Sequence, residues 1–416
     1  MPPYGGKCRV SDERGLCEIL LLFHFLFLPD HIIHEHRHDK NNTVAVIFLV
    51  YSCLYFSVSP DHRFTRLLSM HEYVGAIHIH SNYSDGLRPI PEIAGIADRL
   101  GLDYIMFADH NTLEPLKAGM ERWFGSVLSI IGYETNDENN RNHYLVYCLG
   151  EIVLPHTDPH DYVREVKERG GIGFIAHPDE KRSAIPAFPP YPWTAWDVDD
   201  YDGIEIWNHA SEWLEKLTHT NKYFHVLHPL KYLKGPEPET LRRWDMLNKT
   251  RVVPGIGGID AHAYPYRIGP LTIYIFRYKV LFKGIRTHII LEKELSKEVI
   301  EAKEAVLGAL KSARCFISTY RWGDARGFRF SASTGTTTGQ MGDVLSARSA
   351  DFSVSVPQTG TITLLRDGSP VAKAKGKSLT YEADSPGAYR VEVRRNNRSW
   401  IYSNHIRLQG VSNDAT

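Results

Sequence analysis

Donor residues of one chemical kind recur beside successive apolar runs in this chain, and few folds can arrange that. The run Val74, Ala76, Ile77, Ile79 reads as a buried strand, and on a strand residues two apart point the same way, so His78 and His80 are predicted to project together. Asp85 follows just before the Gly86 turn. The strand predicted at Tyr104 to Phe107 leads to Asp109, His110 and Asn111, and that at Val127 to Ile131 leads to Glu134. Tyr144 to Cys148 carries His143 at its start, while Phe174, Ile175 and Ala176 run into His177 and Pro178. Gly203 to Trp207 is followed by Asn208, and Val252 to Ile256 leads to Asp260 and His262. Helical patterns at Pro91 to Leu100 and Asp161 to Arg169 lie between them, which predicts βα units around a parallel sheet or barrel. In barrels the strand ends are where sites are built.

Each donor taken singly has an ordinary explanation. A histidine beside a strand is commonly a hydrogen-bonded structural residue, and Asp109 or Asp179 can serve only as a cap. Glu134 is different, because a carboxylate in the nearly uncharged run from Val127 to Thr135 needs a cation or a donor if it is buried. Nine suitable donors at successive strand ends point jointly to a multi-metal site.

Composition narrows the class of protein. At 416 residues, with 43% hydrophobic and 23% charged residues, the chain has the make-up of a globular protein long enough for two domains. A formal net charge of -1 gives no global pull toward nucleic acid or acidic membranes, and no basic-aromatic array is present. The five cysteines (Cys8, Cys17, Cys53, Cys148, Cys315) are scattered and form no CxxC, which indicates neither a disulfide framework nor a thiolate zinc site and suggests a reducing, cytoplasmic setting.

Residues 1 to about 69 fit this pattern poorly. Two apolar runs, Ile19 to Leu28 and Thr43 to Val58, flank the His-rich stretch of His31, His34, His36 and His38, and each is shorter than the ~20 residues that span a bilayer. Met70 stands directly before the first strand. The expectation is that translation starts there, with a membrane-associated segment as the alternative. At the other end, from about Gly323 to Gln409, alternating runs such as Asp351 to Val356, Thr361 to Leu365, Leu379 to Ala383 and Ala388 to Val393 predict a small antiparallel β-sandwich that supports the barrel or covers its mouth. Trp400 belongs to its core or to a domain interface.

The order of donors, with His-Ile-His-Ser-Asn-Tyr-Ser-Asp-Gly, Ala-Asp-His, Ala-His-Pro and Gly-Ile-Asp-Ala-His, resembles the polymerase and histidinol phosphatase (PHP) family of metal-dependent hydrolases over residues 70 to about 320. Glu205-Ile206-Trp207-Asn208, Arg286-Thr287-His288 and the ending Ser399-Trp400-Ile401-Tyr402-Ser403-Asn404 look like the carbaryl hydrolase subgroup with its attached sandwich. The resemblance implies a distorted (βα)7 barrel over residues 70–320, an immunoglobulin-like sandwich over 323–410, and two or three divalent cations (Zn, Mn or Fe). It further implies one cation on His78, His80, Glu134 and Asp260, a second on Asp85, His110 and His262, and a third on Glu134, His143 and His177. Some family members have His where this chain has Asp85, and an oxygen ligand there favours harder cations.

With no Gly-x-Ser-x-Gly elbow and no cysteine in a catalytic context, the chemistry falls to metal-activated water, with Asp260 to orient it and His177 or His262 to protonate the leaving group. The broad family implies small-molecule phosphoesters and the subgroup carboxylic esters or carbamates. A non-catalytic metal-binding module is a third possibility. Arg267, just after the last motif, either meets a phosphate or pairs with a carboxylate. Asn208 either orients substrate or forms a turn. Tyr191, Trp193, Trp196 and Trp207 suit an aryl leaving group or the core.

Overall fold

The apolar run ending at His78 forms strand β1 (His71–Ile79), and its burial deepens along its length as the chain enters the centre of a barrel. A computed structural model describes residues 70–155, 158–182, 189–268 and 270–410, so the expectation for residues 1–69 lies outside the described residues. Helix α1 (Ile90–Arg99) has Pro at its first turn, Glu92 near its N-terminus and Arg99 in its last turn, each where proline φ or the helix dipole favours it. Its face of Ile90, Ile93, Ala94 and Ala97 is buried at the i, i+3, i+4, i+7 spacing.

The barrel strands that follow are β2 (Tyr104–His110), β3 (Val127–Thr135), β4 (Tyr144–Tyr147), β5 (Ile172–Ile175), β6 (Gly203–Asn208) and β7 (Gly255–Ala261). With β1 they close a seven-stranded barrel. Pairing is parallel for β1–β2, β2–β3, β5–β6, β6–β7 and β7–β1. It is antiparallel for β3–β4 and β4–β5. The parallel barrel expected from βα units holds except at β4, which follows β3 through a short loop with no crossover helix and so runs antiparallel to both neighbours. Inverting that strand puts its start on the same rim as the other strands' ends, which is why His143 precedes its strand whereas the other donors end or follow theirs.

Helix α2 (Pro159–Glu168), N-capped by Asp158, connects β4 to β5. The β6–β7 connection carries α3 (His209–Glu215), α4 (Lys222–Leu227) and α5 (Pro238–Asn248). Beyond β7 lie a hairpin of β8 (Pro265–Ile268) and β9 (Leu271–Tyr274), then β10 (Ile285–Leu291), α6 (Val299–Lys311) and β11 (Cys315–Thr319). No helix among the described residues is long and apolar enough to cross a membrane.

The C-terminal region is built from antiparallel pairs among β12 (Arg329–Ser333), β13 (Ala350–Arg366), β14 (Ser369–Ala383), β15 (Gly387–Arg395), β16 (Arg398–Ser403) and β17 (Ile406–Gln409). The inward residues of β13 (Phe352, Val354, Val356, Ile362 and Leu364) join a second apolar core with Tyr389, Val391 and Trp400. Hydrogen bonding is continuous with the barrel: β1 pairs with β10, β10 with β11, and β11 with β16.

Further ties meet the barrel's lower rim. Asn404 receives the Gly255 N–H at 2.7 Å and donates to the Gly255 carbonyl at 2.9 Å, at the start of β7. Asp245 of α5 is buried between Arg390, at 2.5 and 2.8 Å, and His405, at 2.9 Å. Burial alone would raise the Asp245 pKa, but those hydrogen bonds hold it near 2. These contacts lie away from the strand ends that carry the donors, so of the two roles expected for the sandwich region the structure favours support over covering the mouth.

Candidate metal centre

β1 does not deliver its histidines by plain strand alternation. Register shifts against both β2 and β7 between Ile77 and Ile79, and His78 itself takes φ 66° in the left-handed region. His80 lies just past the strand. The two rings still converge, with centroids 5.2 Å apart, because the bulge re-aims His78. Asp260 (φ 49°) and His177 (φ 25°) share this uncommon backbone region, so three donors sit on strained residues that the surrounding sheet must hold in place.

Glu134 is the hub. Its Oε2 faces His78 Nε2 at 3.2 Å, His80 Nε2 at 3.4 Å and His110 Nδ1 at 3.4 Å. Its Oε1 faces His143 Nδ1 at 2.7 Å and His177 Nε2 at 3.3 Å. Asp260 Oδ1 lies 3.6 Å from His78 Nε2, 3.4 Å from His80 Nε2 and 3.4 Å from His262 Nδ1. Asp85 sits nearer the opening, 3.2 Å from His262 Nε2 and 3.8 Å from His110 Nε2, and receives the Tyr264 hydroxyl at 2.8 Å.

All nine donors nominated from sequence are thus brought together. Their ligand atoms form overlapping groups within 4.8 Å: His80, Asp85, His110 and His262; His78, His177 and Asp260; His78, His80 and Glu134; and Glu134, His143 and His177. The last matches one expected set. His80 joins the second set, and His177 stands beside His78 and Asp260.

The electrostatics follow from burial against charge. Burial alone would raise the carboxyl pKa values of Glu134 and Asp260, yet the surrounding imidazoles hold both far below the usual range. Burial and the neighbouring His262 and His110 push His80 down to about 3, leaving a neutral ring with lone-pair density. Burial opposes charge on His177 too, but Glu180 and Glu134 raise it to about 9.

The donor set fits divalent cations. Both ring nitrogens of His80, with His143 Nε2 and His177 Nδ1, are buried and have no hydrogen-bond partner among the described residues. Each such orphan costs about 1–3 kcal/mol unless something satisfies it. Clustered imidazole nitrogens and carboxylate oxygens are ligands of divalent metal ions.

Two carboxylates missed in the donor list brace the site. Glu205 of β6 accepts His78 Nδ1–H at 3.1 Å through Oε1; its Oε2 accepts the His177 backbone N–H and the Asn208 side-chain amide, both at 2.9 Å. Glu180 lies 3.6 Å from His177 Nδ1 and receives Arg182 at 2.6 Å. The signal for Glu205 was present, since it stands in an apolar run as Glu134 does.

Several alternatives left open by the sequence are narrowed by the contacts. Asn208 caps α3, accepting the Ser211 N–H at 2.9 Å, and braces Glu205, which is the turn role of its two expected roles. Arg267 is exposed on the β8–β9 hairpin and does not line the cavity at the site; Arg182 does. Asp109 accepts Ser81 N–H, Ser81 Oγ and Ser84 Oγ, each at 2.7 Å, bracing the loop before Asp85. Asp179 accepts Thr240 Oγ1 at 2.8 Å. Trp207 is core, with its indole N–H on Glu212 and its ring edge against Tyr402. Trp193 is likewise buried, donating to the Ala195 carbonyl, and Trp196 lies under the Arg243 guanidinium. Only Tyr191 of the four nominated aromatics lines the cavity, stacked on His143 with centroids 5.0 Å apart.

That cavity, about 470 Å³, opens onto Asp85, His110, Glu134, His143, His177, Asp260 and His262.

No protein-family model matches the chain, and no curated protein matches its sequence. Among solved structures it is similar to a two-domain protein from Bacteroides vulgatus containing a predicted PHP-like metal-dependent phosphoesterase. Identity there is 15% and the TM-score 0.41, with 81% of this chain and 96% of that chain covered. It is also similar to an amidohydrolase from Chromobacterium violaceum, at 12% identity and TM-score 0.27, covering 45% of this chain and 87% of that one. At this level of similarity the functional reading rests on the geometry of the site itself.

Proposed function

We propose that the chain is a metal-dependent hydrolase of the PHP type that binds two or three divalent cations and hydrolyses small-molecule phosphoesters. The observation that carries this reading is Glu134, a buried carboxylate whose two oxygens face five imidazoles from two sides, as a ligand shared between neighbouring cations would. His78, His80, Glu134 and Asp260 would hold one cation, Asp85, His110 and His262 a second, and Glu134, His143 and His177 a third. Bound there, zinc, manganese or iron would activate a water molecule and polarise the scissile group.

The chain's own residues position and move protons. Asp260, ionised and lining the cavity, orients the attacking water and accepts its proton. The water oxygen bonds to phosphorus as the ester P–O bond breaks. With two cations bound, the one of His177 and His262 left outside the ligand set gives a proton to the departing oxygen, yielding an alcohol and a phosphate.

A second reading, a carboxylic ester or carbamate hydrolase of the carbaryl hydrolase type, is favoured by the apolar walls of the cavity. In either reading the C-terminal strands are a supporting domain, which we assign to residues 323–410 as an immunoglobulin-like sandwich.

The test is hydrolysis of p-nitrophenyl phosphate, bis-p-nitrophenyl phosphate and p-nitrophenyl acetate by the full chain loaded with Mn, Fe or Zn, beside a His78→Ala/His80→Ala variant. Phosphoester turnover lost in the variant supports the first reading, and preferential acetate turnover supports the second. Metal binding without turnover of any ester would point to a non-catalytic module.

A further inference from the structure

The cavity has two chemically distinct ends. One is the cluster of histidines and carboxylates. The other is walled by elements that no donor motif nominated: α3, α4 and the β8–β9 hairpin with the residues just after it.

On α3 and just past it, Ala210, Trp213, Leu214 and Leu217 recur at the i, i+3, i+4, i+7 spacing that places side chains on one helix face, and all four line the cavity. On α4, Tyr223, Val226 and Leu227 do the same. Across from them Ile275 and Phe276 close the wall, Phe276 meeting Trp213 edge to face with centroids 5.0 Å apart. The face of α3 is packed into the core, with Ala210, Trp213 and Leu217 buried, and it borders the cavity as well, while the face of α4 is left largely uncovered. Tyr223 and Leu227 are correspondingly exposed, at 58% and 73%.

Two basic side chains, Arg182 and Lys222, line the cavity. Arg182 is nine-tenths buried, pairs with Glu180 and lies over the Tyr191 ring at 5.1 Å, and its Nε has no hydrogen-bond partner among the described residues. Lys222 stands at the start of α4.

We propose that the substrate carries a bulky hydrophobic group, aromatic or branched alkyl, which lies between α3, α4 and the Ile275–Phe276 segment while its anionic hydrolysable group meets the cluster beside Arg182. This rests on the hydrolase reading and narrows it: small, fully polar phosphates would leave the chamber's apolar walls wet. Apolar contact over a ring system is worth at least about tenfold in affinity at ordinary burial coefficients.

The experiment is calorimetric binding of 2-naphthylphosphonate and methylphosphonate, neither of which can be hydrolysed, to the full chain before and after metal loading. The expected result is tighter binding of the naphthyl compound by about tenfold or more in both states. That preference should fall to within about threefold in Val226→Glu and in Leu214→Gln, two partly exposed positions, with metal content and melting temperature close to those of the parent. Equal affinity for the two phosphonates, or a preference untouched by both variants, would overturn the proposal. Hydrolysis of 2-naphthyl phosphate and 2-naphthyl acetate is measured alongside. A retained naphthyl preference with no metal-dependent hydrolysis of either ester would support the chamber and overturn the hydrolase reading.

Discussion

Replacing Glu205 by Gln changes one oxygen to an amide nitrogen at a fully buried position, and its consequences can be worked from the hydrogen bonds. The carboxylate accepts on both sides: His78 Nδ1–H on Oε1, and the His177 N–H and Asn208 amide on Oε2. A glutamine can satisfy only one side. If its oxygen faces His177 and Asn208, its NH2 donates to His78 Nδ1 and drives the other proton onto Nε2, the nitrogen that faces Glu134 and Asp260. The lone pair that would bind a cation is then lost. If the amide turns the other way, two donors confront an NH2, at a cost of about 1–3 kcal/mol.

Loss of such an orienting partner lowers metal affinity by about 10–100-fold, or about 1.4–2.7 kcal/mol. The assay is chelator competition with Zn and Mn on the full-chain parent and Glu205→Gln, with melting curves as the control for folding. Unchanged affinity in a folded variant would refute the claim that Glu205 sets the tautomer and orientation of His78.

Other outcomes follow from the same structure. In Gly258→Ala the added Cβ would lie 1.6 Å from Glu205 Oε1, so the carboxylate must move; overpacking of this kind costs about 1–3 kcal/mol, and both melting temperature and metal affinity should fall together. Asp260→Asn, assayed at metal concentrations that keep the site loaded, should lose about 10²–10⁴-fold in hydrolysis, read by steady-state rates beside metal analysis, and retained activity with metal bound would exclude Asp260 as the proton acceptor. Asp245 has its pKa lowered from 3.8 to about 2 in the folded chain. Its contribution of about 2 kcal/mol is therefore present above pH 4 and lost as pH falls toward 2, so denaturant titrations should show that acid limb in the parent and a flatter one in Asp245→Asn. Chelation should lower the melting temperature, since cations that bind only the folded chain at about 100 times Kd stabilise it by about 2.7 kcal/mol.

The donors were legible because metal chemistry demands particular residue types and a barrel delivers them at strand ends. His78, His80, Glu134 and Asp260 stand out through the recurrence of donors at successive strand ends and not through any one of them. What local pattern does not carry is the path of the backbone. The bulge at His78 depends on the register of β1 against two neighbours, and the reversal of β4 depends on a short connection whose direction the run Tyr144 to Cys148 does not encode. Arg267 lies close in sequence to Asp260 and His262, yet the hairpin carries it away from the cavity, while Arg182, equally close to His177, lines it. Asn208 was seen, but its work as cap and brace depends on Ser211 and Glu205 folding back onto it. The apolar chamber is a product of how α3 and α4 lie over the barrel mouth, and the residues that wall it read in sequence as ordinary core.

The most direct test of the central claim is metal stoichiometry of the purified full chain after dialysis against Mn, Fe or Zn, measured by mass spectrometry of the elements beside a Glu134→Ala variant. The account predicts two or three equivalents per chain, with at least one lost when the shared carboxylate is removed. Less than one equivalent in the parent, or full loading without Glu134, would contradict it.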